Sequence, residues 1–188
     1  LYEELAPELR REFHRALAQH LEGRSNPEPE RIGTHWERAG ASARAVDPLA
    51  VASLQAYRRQ EFQRAIRLGR RAGLDVEKLD AERFTHHPDA VFGLAYCLEN
   101  TGNGDAASRL GQRAIELATA AGNENLARRA TVHDLTVRLK LEGPDAVRRG
   151  VLEDATRQLP MCEELGRAWY LLGYIAKFEG DTDGADRY

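Results

Sequence analysis

The residues best placed to do chemistry in this 188-residue chain are histidines, arginines and tyrosines at short spacings. His86-His87-x-Asp89 offers two imidazoles and a carboxylate, the donor types of a transition-metal site. No third ligand cluster accompanies it, so polar loop residues are the simpler reading. His14, His20, His35 and His133 sit singly within helical patterns and read as histidines at the edge of a core. Arg58, Arg59, Arg64, Arg67, Arg70 and Arg71 crowd into fourteen residues opposed only by Glu61. Arg64, Arg67 and Arg71 share one helix face. Such a stripe could grip phosphates, or it could be a solvated face paired with Asp75, Glu77, Asp80 and Glu82. The second reading is preferred. The acidic neighbours Glu3-Glu4 and Glu163-Glu164 point to different helix faces and make poor acid–base couples. No nucleophile elbow, zinc-protease motif or G-x4-G-K-[ST] loop occurs, and the Gly102-x-Gly104 turn lacks a lysine for phosphate. Catalysis within this chain is not expected, and no cofactor or metal is implied.

Bulk properties narrow the class. Apolar residues make up 42% and charged residues 30%, enough to bury a core. A net charge of −3 argues against a dedicated nucleic-acid or membrane binder. Only Lys78, Lys140 and Lys177 are lysines, so arginine supplies the other 24 of 27 basic residues. Cys97 and Cys162 lie 65 residues apart without metal-type spacing, which fits a reduced, cytoplasmic setting. No run of eighteen apolar residues and no signal peptide is present. The chain opens at Leu1 and stops at Tyr188 inside patterned sequence, and reads as an excerpt of a larger polypeptide.

Helical periodicity and punctuation predict helices near 7–22, 28–39, 47–58, 61–72, 88–100, 104–121, 124–141, 144–158, 162–179 and from 182. Pro7, Pro48, Pro88 and Pro144 stand at or near starts, where a missing N–H costs little. In the first helix the expected apolar stripe is Leu9, Phe13, Ala16, Leu17 and His20 or Leu21. Residues 73–87 hold either a short helix near 75–83 or an ordered loop. No segment alternates with the period of a strand.

The helices repeat. Trp169-x2-Leu172-Gly173-x2-Ala176 precedes Gly180-x2-Asp183-x-Ala185, and Val91-x2-Leu94-Ala95-x2-Leu98 precedes Gly102-x2-Asp105-x-Ala107 at identical spacings. A degraded copy carries Ala130, His133, Asp134, Val137 and Ala146, the last 39 residues from both Ala107 and Ala185. Ala65, 42 residues before Ala107, marks a fourth, and Gly69, Gly111 and Gly150 each follow their alanine by four. Small residues belong where helices cross closely, and Gly-x2-Asp is a helix stop followed by a start. This pattern resembles the tetratricopeptide repeat, with Trp169, Leu172 and Gly173 the strongest match. Ala176 stands at the usual tyrosine, glycines replace the usual phenylalanine, and the period is nearer 39 than 34. The resemblance implies an all-α, right-handed superhelical solenoid of antiparallel helix pairs over residues 46–188.

Residues 1–45 are different. Tyr2-Glu3-Glu4-Leu5-x-Pro7, Arg10-Arg11, His14-Arg15-Ala16-Leu17-Ala18 and Leu21-Glu22 precede His35-Trp36-x2-Ala39-Gly40. This resembles the junction in STAND-type signal-transducing ATPases, LuxR-type activators and related multidomain kinases, where the end of a winged-helix-like module leads into repeats. The resemblance implies a nucleotide-binding or kinase module upstream in the same polypeptide.

The tetratricopeptide resemblance also implies which side chains face the concave surface: Phe92, Tyr96 and Glu99; Arg128, Thr131, Leu135 and Arg138; Arg167, Tyr170, Tyr174 and Lys177. From spacing alone, the aromatics divide evenly between groove and core. The expected function is a regulatory domain that binds a protein, a peptide or a small anionic effector, aromatic contacts giving area and arginine giving direction. A passive scaffold for multiprotein assembly is the alternative. Nucleic acid and membrane are not expected partners.

Overall fold

The computed structural model describes residues 6–76, 79 and 83–188, whose regular elements are all helices, with no strand among them. The helices are α1 (Pro7–Glu22), α2 (Pro29–Arg38), α3 (Ser42–Arg58), α4 (Phe62–Ala72), α5 (Pro88–Asn100), α6 (Gly104–Ala120), α7 (Glu124–Glu142), α8 (Arg149–Gln158), α9 (Glu163–Phe178) and α10 (Thr182–Arg187). Each packs on its sequence neighbour within one of two compact units, Leu1–Leu79 and Asp80–Tyr188. In the second unit α7 also touches α5 and α9, so alternate helices form a layer there.

The helix starts follow the prolines, with two departures. Pro7, Pro29 and Pro88 open α1, α2 and α5. Pro48 instead lies inside α3, which begins at Ser42. The reason is the preceding turn: Ala41 N–H donates to the Trp36 carbonyl and Arg44 N–H to that of Ala41, so the helix is nucleated before proline arrives. Pro48 forfeits one helical hydrogen bond, while Ala45, Val46, Leu49 and Ala50 are buried around it. Pro144 opens a 3-10 turn, Pro144–Ala146, and α8 begins only at Arg149. The short helix expected near 75–83 falls largely on residues 77, 78 and 80–82, outside the described set.

The α1 stripe is displaced from the expected one. His14, Ala18 and Leu21 are buried, whereas Leu9 and Phe13 are 58% and 50% exposed. What rotates the helix is its partner. His14 stacks on His35 of α2 with Nδ1 atoms 2.9 Å apart, and the Trp36 indole N–H donates to Glu22 at 2.6 Å. Arg44 covers the other face of Trp36, 3.6 Å from the ring centroid, and reaches Glu22 as well. Both imidazoles are held below the ordinary histidine range, first by burial and then by neighbouring positive charge.

The turns within pairs share one geometry. Asn103 N–H donates to Leu98, Asp181 to Ala176 and Glu61 to Ala56, each at 2.9 Å across a left-handed residue. That residue is Gly102 or Gly180 in two turns, but Gln60, at φ 60°, in the third. A side chain there carries strain that glycine lacks. We expect Gln60→Gly to stabilise the first unit by about 0.5–1 kcal/mol, lifting its thermal midpoint by about 2–8 °C. A lower midpoint in calorimetry would mean that Gln60 is not strained.

Small residues do sit at the crossings. Ala95 and Ala107 are fully buried. A Cβ on Gly111 would lie 3.6 Å from Asp134 Cβ. At Gly33 it would lie 2.6 Å from Leu49 Cγ, so α2 and α3 meet where only glycine fits. The second unit's apolar core gathers Val132, Leu135, Leu152, Leu159, Leu171, Leu172 and Ile175 from α7, α8, α9 and the segment between.

Candidate functional site

The inward-facing positions expected from the repeat divide into two groups. Phe92, Tyr96, Glu99 and Arg167 come together in a polar network that ties α5, α7 and α9. Phe92 is 2% exposed and packs edge-on against His133, with the Arg129 guanidinium 5.2 Å from its ring. Tyr96 stacks on His133. Its hydroxyl donates to Glu163 at 2.5 Å and accepts from Arg167 at 3.0 Å. Burial, then the Glu163 hydrogen bond, pushes the phenol up to about 12.

Glu99 is the hub. Its carboxylate accepts from Lys140 at 2.6 Å and from Arg167 at 3.0 Å. His133 Nε2 lies 3.0 Å from the same carboxylate without hydrogen-bond alignment. Burial alone would raise the Glu99 pKa, but His133, Lys140 and Arg167 outweigh it and hold the carboxyl well below its ordinary range. Beside this hub, Arg129 forms a two-point pair with Glu164 at 2.9 and 3.2 Å, and the Glu164 side chain is only 2% exposed. Asp134 accepts from Ser108 of α6. The chemistry of this cluster is bracing: Lys140, Arg167 and Arg129 each face a carboxylate across a helix boundary, while the His133 ring nitrogens make no hydrogen bond.

The second group is open. Tyr170 is 67% exposed, Tyr174 41% and Phe178 64%, and the two tyrosine rings lie 6.5 Å apart. Trp169, at the edge of this face, packs on Tyr188. Lys177 is exposed beside them and has no ion pair among the described residues. On α7, Thr131 is half-buried, and its hydroxyl donates to the Ala127 carbonyl. Leu135 belongs to the apolar core. Arg128 and Arg138 each pair with a glutamate four positions away on their own helix, Glu124 and Glu142. Exposed pairs of that kind contribute little and exchange readily.

Sequence spacing singled out His133 and Asp134 but not the partners Arg129, Lys140 and Glu164. Arg129 and Glu164 stand 35 residues apart, close to one repeat, which is the signal that could have joined them. Two members of the arginine stripe, Arg64 and Arg71, are paired, chiefly with α2. Arg64 binds Glu30 at 2.5 Å and Glu61 at 2.7 Å, while Arg71 binds Glu37 and the Thr34 hydroxyl. His87 caps α5 with Asp89 in its first turn. Among the described residues no three His, Cys, Asp or Glu side chains gather into a metal-binding set, and no helix is long and apolar enough to cross a membrane. Compared with known proteins, the chain matches no family model, no curated sequence and no solved structure.

Proposed function

We propose that this chain is the partner-binding part of a regulatory protein, built as a tetratricopeptide-like solenoid in which α5, α7 and α9 face one groove. It takes an acidic peptide segment of a protein partner, and occupancy is relayed to a nucleotide-hydrolysing or kinase module in the same polypeptide. The observation that carries this reading is the open face of α9. Tyr170, Tyr174 and Phe178 recur every four residues along one helix, and all three rings stay exposed. Rigid aromatics of this kind supply contact area at low entropic cost, as at interface hot spots. Lys177, exposed and without an ion pair among the described residues, puts a positive charge on that face, and the charge of the partner follows from it.

The test uses labelled acidic peptides containing one aromatic residue, with basic and neutral peptides as controls, in fluorescence anisotropy. Saturable binding of the acidic set is expected, weakened about tenfold or more by Tyr170→Ala with Tyr174→Ala. The thermal midpoint should hold, because both rings are exposed. Equal binding of all three peptide sets, or an unchanged affinity in the double variant, would sink the proposal.

A further inference from the structure

The first unit contains a cleft of about 560 Å³ over α3, walled by α2 and α4. Its floor is made of Ala52 and Ala56, 5% and 1% exposed, so α3 presents methyl groups where its neighbours present long side chains. The walls are braced across the cleft by the pairing of Arg64 with Glu30. Four arginines line it, Arg31, Arg38, Arg59 and Arg64. Arg31 is neutralised by Glu28 and Arg64 by Glu30 and Glu61. Arg38 and Arg59 are exposed and have neither an ion pair nor a side-chain hydrogen bond among the described residues.

Arg38 and Arg59, unpaired among the described residues, therefore line one concave space beside Thr34 and His35, and the four arginines against Glu28, Glu30 and Glu61 leave a net charge of +1. The same field acts on His35, where Arg38 and Arg31 add to burial in disfavouring a further positive charge. A guanidinium fork without a carboxylate is suited to an oxyanion, which it grips through two parallel hydrogen bonds. The volume is that of a small-molecule site.

We propose that this cleft binds a small polyvalent oxyanion, a phosphate- or carboxylate-bearing metabolite held by Arg38 and Arg59 above the alanine floor. The site lies wholly within the first unit and stands independently of the peptide-binding face of α9. It gives the protein a second input.

The test titrates the whole 188-residue chain with pyrophosphate, with citrate and with a short oligothymidylate, using calorimetry and the fluorescence of Trp36, which adjoins His35. One-site binding of pyrophosphate or citrate is expected at roughly 10–500 µM in about 100 mM salt. The anion that binds more tightly identifies phosphate or carboxylate as the recognised group. Arg38→Ala with Arg59→Ala should weaken binding about tenfold or more, and lysine at both positions should restore part of it, since charge returns without the fork. Arg58→Ala with Arg70→Ala, outside the cleft, should leave the affinity unchanged. The proposal is overturned if neither anion binds saturably below about 5 mM, if the Arg58/Arg70 variant loses as much as the Arg38/Arg59 variant, or if the oligonucleotide binds more tightly than both small anions.

Discussion

Glu99→Gln should destabilise the second unit by about 2–3 kcal/mol at pH 7, and the loss should shrink in acid. The amide keeps the shape of the side chain but removes the charge that faces Lys140, Arg167 and His133. Hydrogen bonds to a charged group contribute about 1.5–3 kcal/mol, and this carboxylate, 6% exposed, is poorly screened by water. The pH dependence follows from the depressed pKa of Glu99. In the unfolded chain a glutamate titrates near its ordinary value of about 4.3. Above that value Glu99 is ionised in both states and its contribution is complete. As the pH falls below it, the unfolded state takes up the proton first, and the contribution drains away towards the folded pKa. Urea unfolding with hydrogen exchange across α5, α7 and α9 should therefore show a wide gap between the proteins at pH 7 and a narrower one at pH 3. A gap of the same size at both values would mean that the glutamine acts through packing and not through charge.

The same network shows what the sequence could and could not disclose. Helix limits were legible wherever a proline or glycine acts locally: Pro7, Pro88, Gly102 and Gly180 stop or start helices by their own backbone chemistry. Pro48 misled because the Trp36–Ala41 turn had already committed the chain to a helix, a decision made upstream of the residue that usually marks a start. Sequence proximity suggests nearby acids as partners of the arginine stripe, of which Glu77, Asp80 and Glu82 lie outside the described residues. The structure pairs Arg64 with Glu30 and Arg71 with Glu37, each 34 residues away, because α2 and α4 face each other across α3. Repeat positions were legible, but their exposure was not. Tyr96 and Tyr174 occupy the same place in their repeats. Tyr96 is covered by His133 and Arg167 from later helices, while Tyr174 remains 41% exposed. A repeat pattern specifies where a side chain points within its own helix pair. What then covers it comes from the helices that follow: α7 and α9 for Tyr96, and only α10 for Tyr174 among the described residues. His14 and His35 illustrate the same limit, since only the crossing of α1 over α2 brings them into contact.

The largest single loss should come from Arg129→Leu. Arg129 holds Glu164 through two hydrogen bonds, and the Glu164 side chain has almost no access to water. Burial by itself raises the pKa of Glu164, and the Arg129 guanidinium reverses that effect. Taking away the cation leaves a charge in a site that cannot solvate it, at a cost of about 3–5 kcal/mol for a pair broken on one side. The Arg129→Leu, Glu164→Leu double variant removes both charges, and its loss should fall to about 1 kcal/mol or less, as for other buried pairs replaced by apolar groups. The contrast separates the cost of an orphaned carboxylate from the net contribution of the pair. Acid provides an independent check, because the missing cation reverses the direction in which the Glu164 pKa is displaced. Without Arg129, burial keeps the Glu164 pKa above its unfolded value. The folded variant then takes up a proton more readily than the unfolded chain, and its stability deficit relative to the wild type should narrow between pH 7 and pH 4. If single and double variants unfold at the same urea concentration, Glu164 is not stranded by the loss of Arg129. The α7–α9 contact would then rest on its apolar side chains, Val132, Leu135, Leu171, Leu172 and Ile175 among them. If the single variant is the weaker by several kcal/mol, the ion pair sets which residues of α9 meet α7. The open stripe of Tyr170, Tyr174 and Phe178 is then a consequence of that register, because the turn of α9 that buries Glu164 and Ala168 turns those three rings outward.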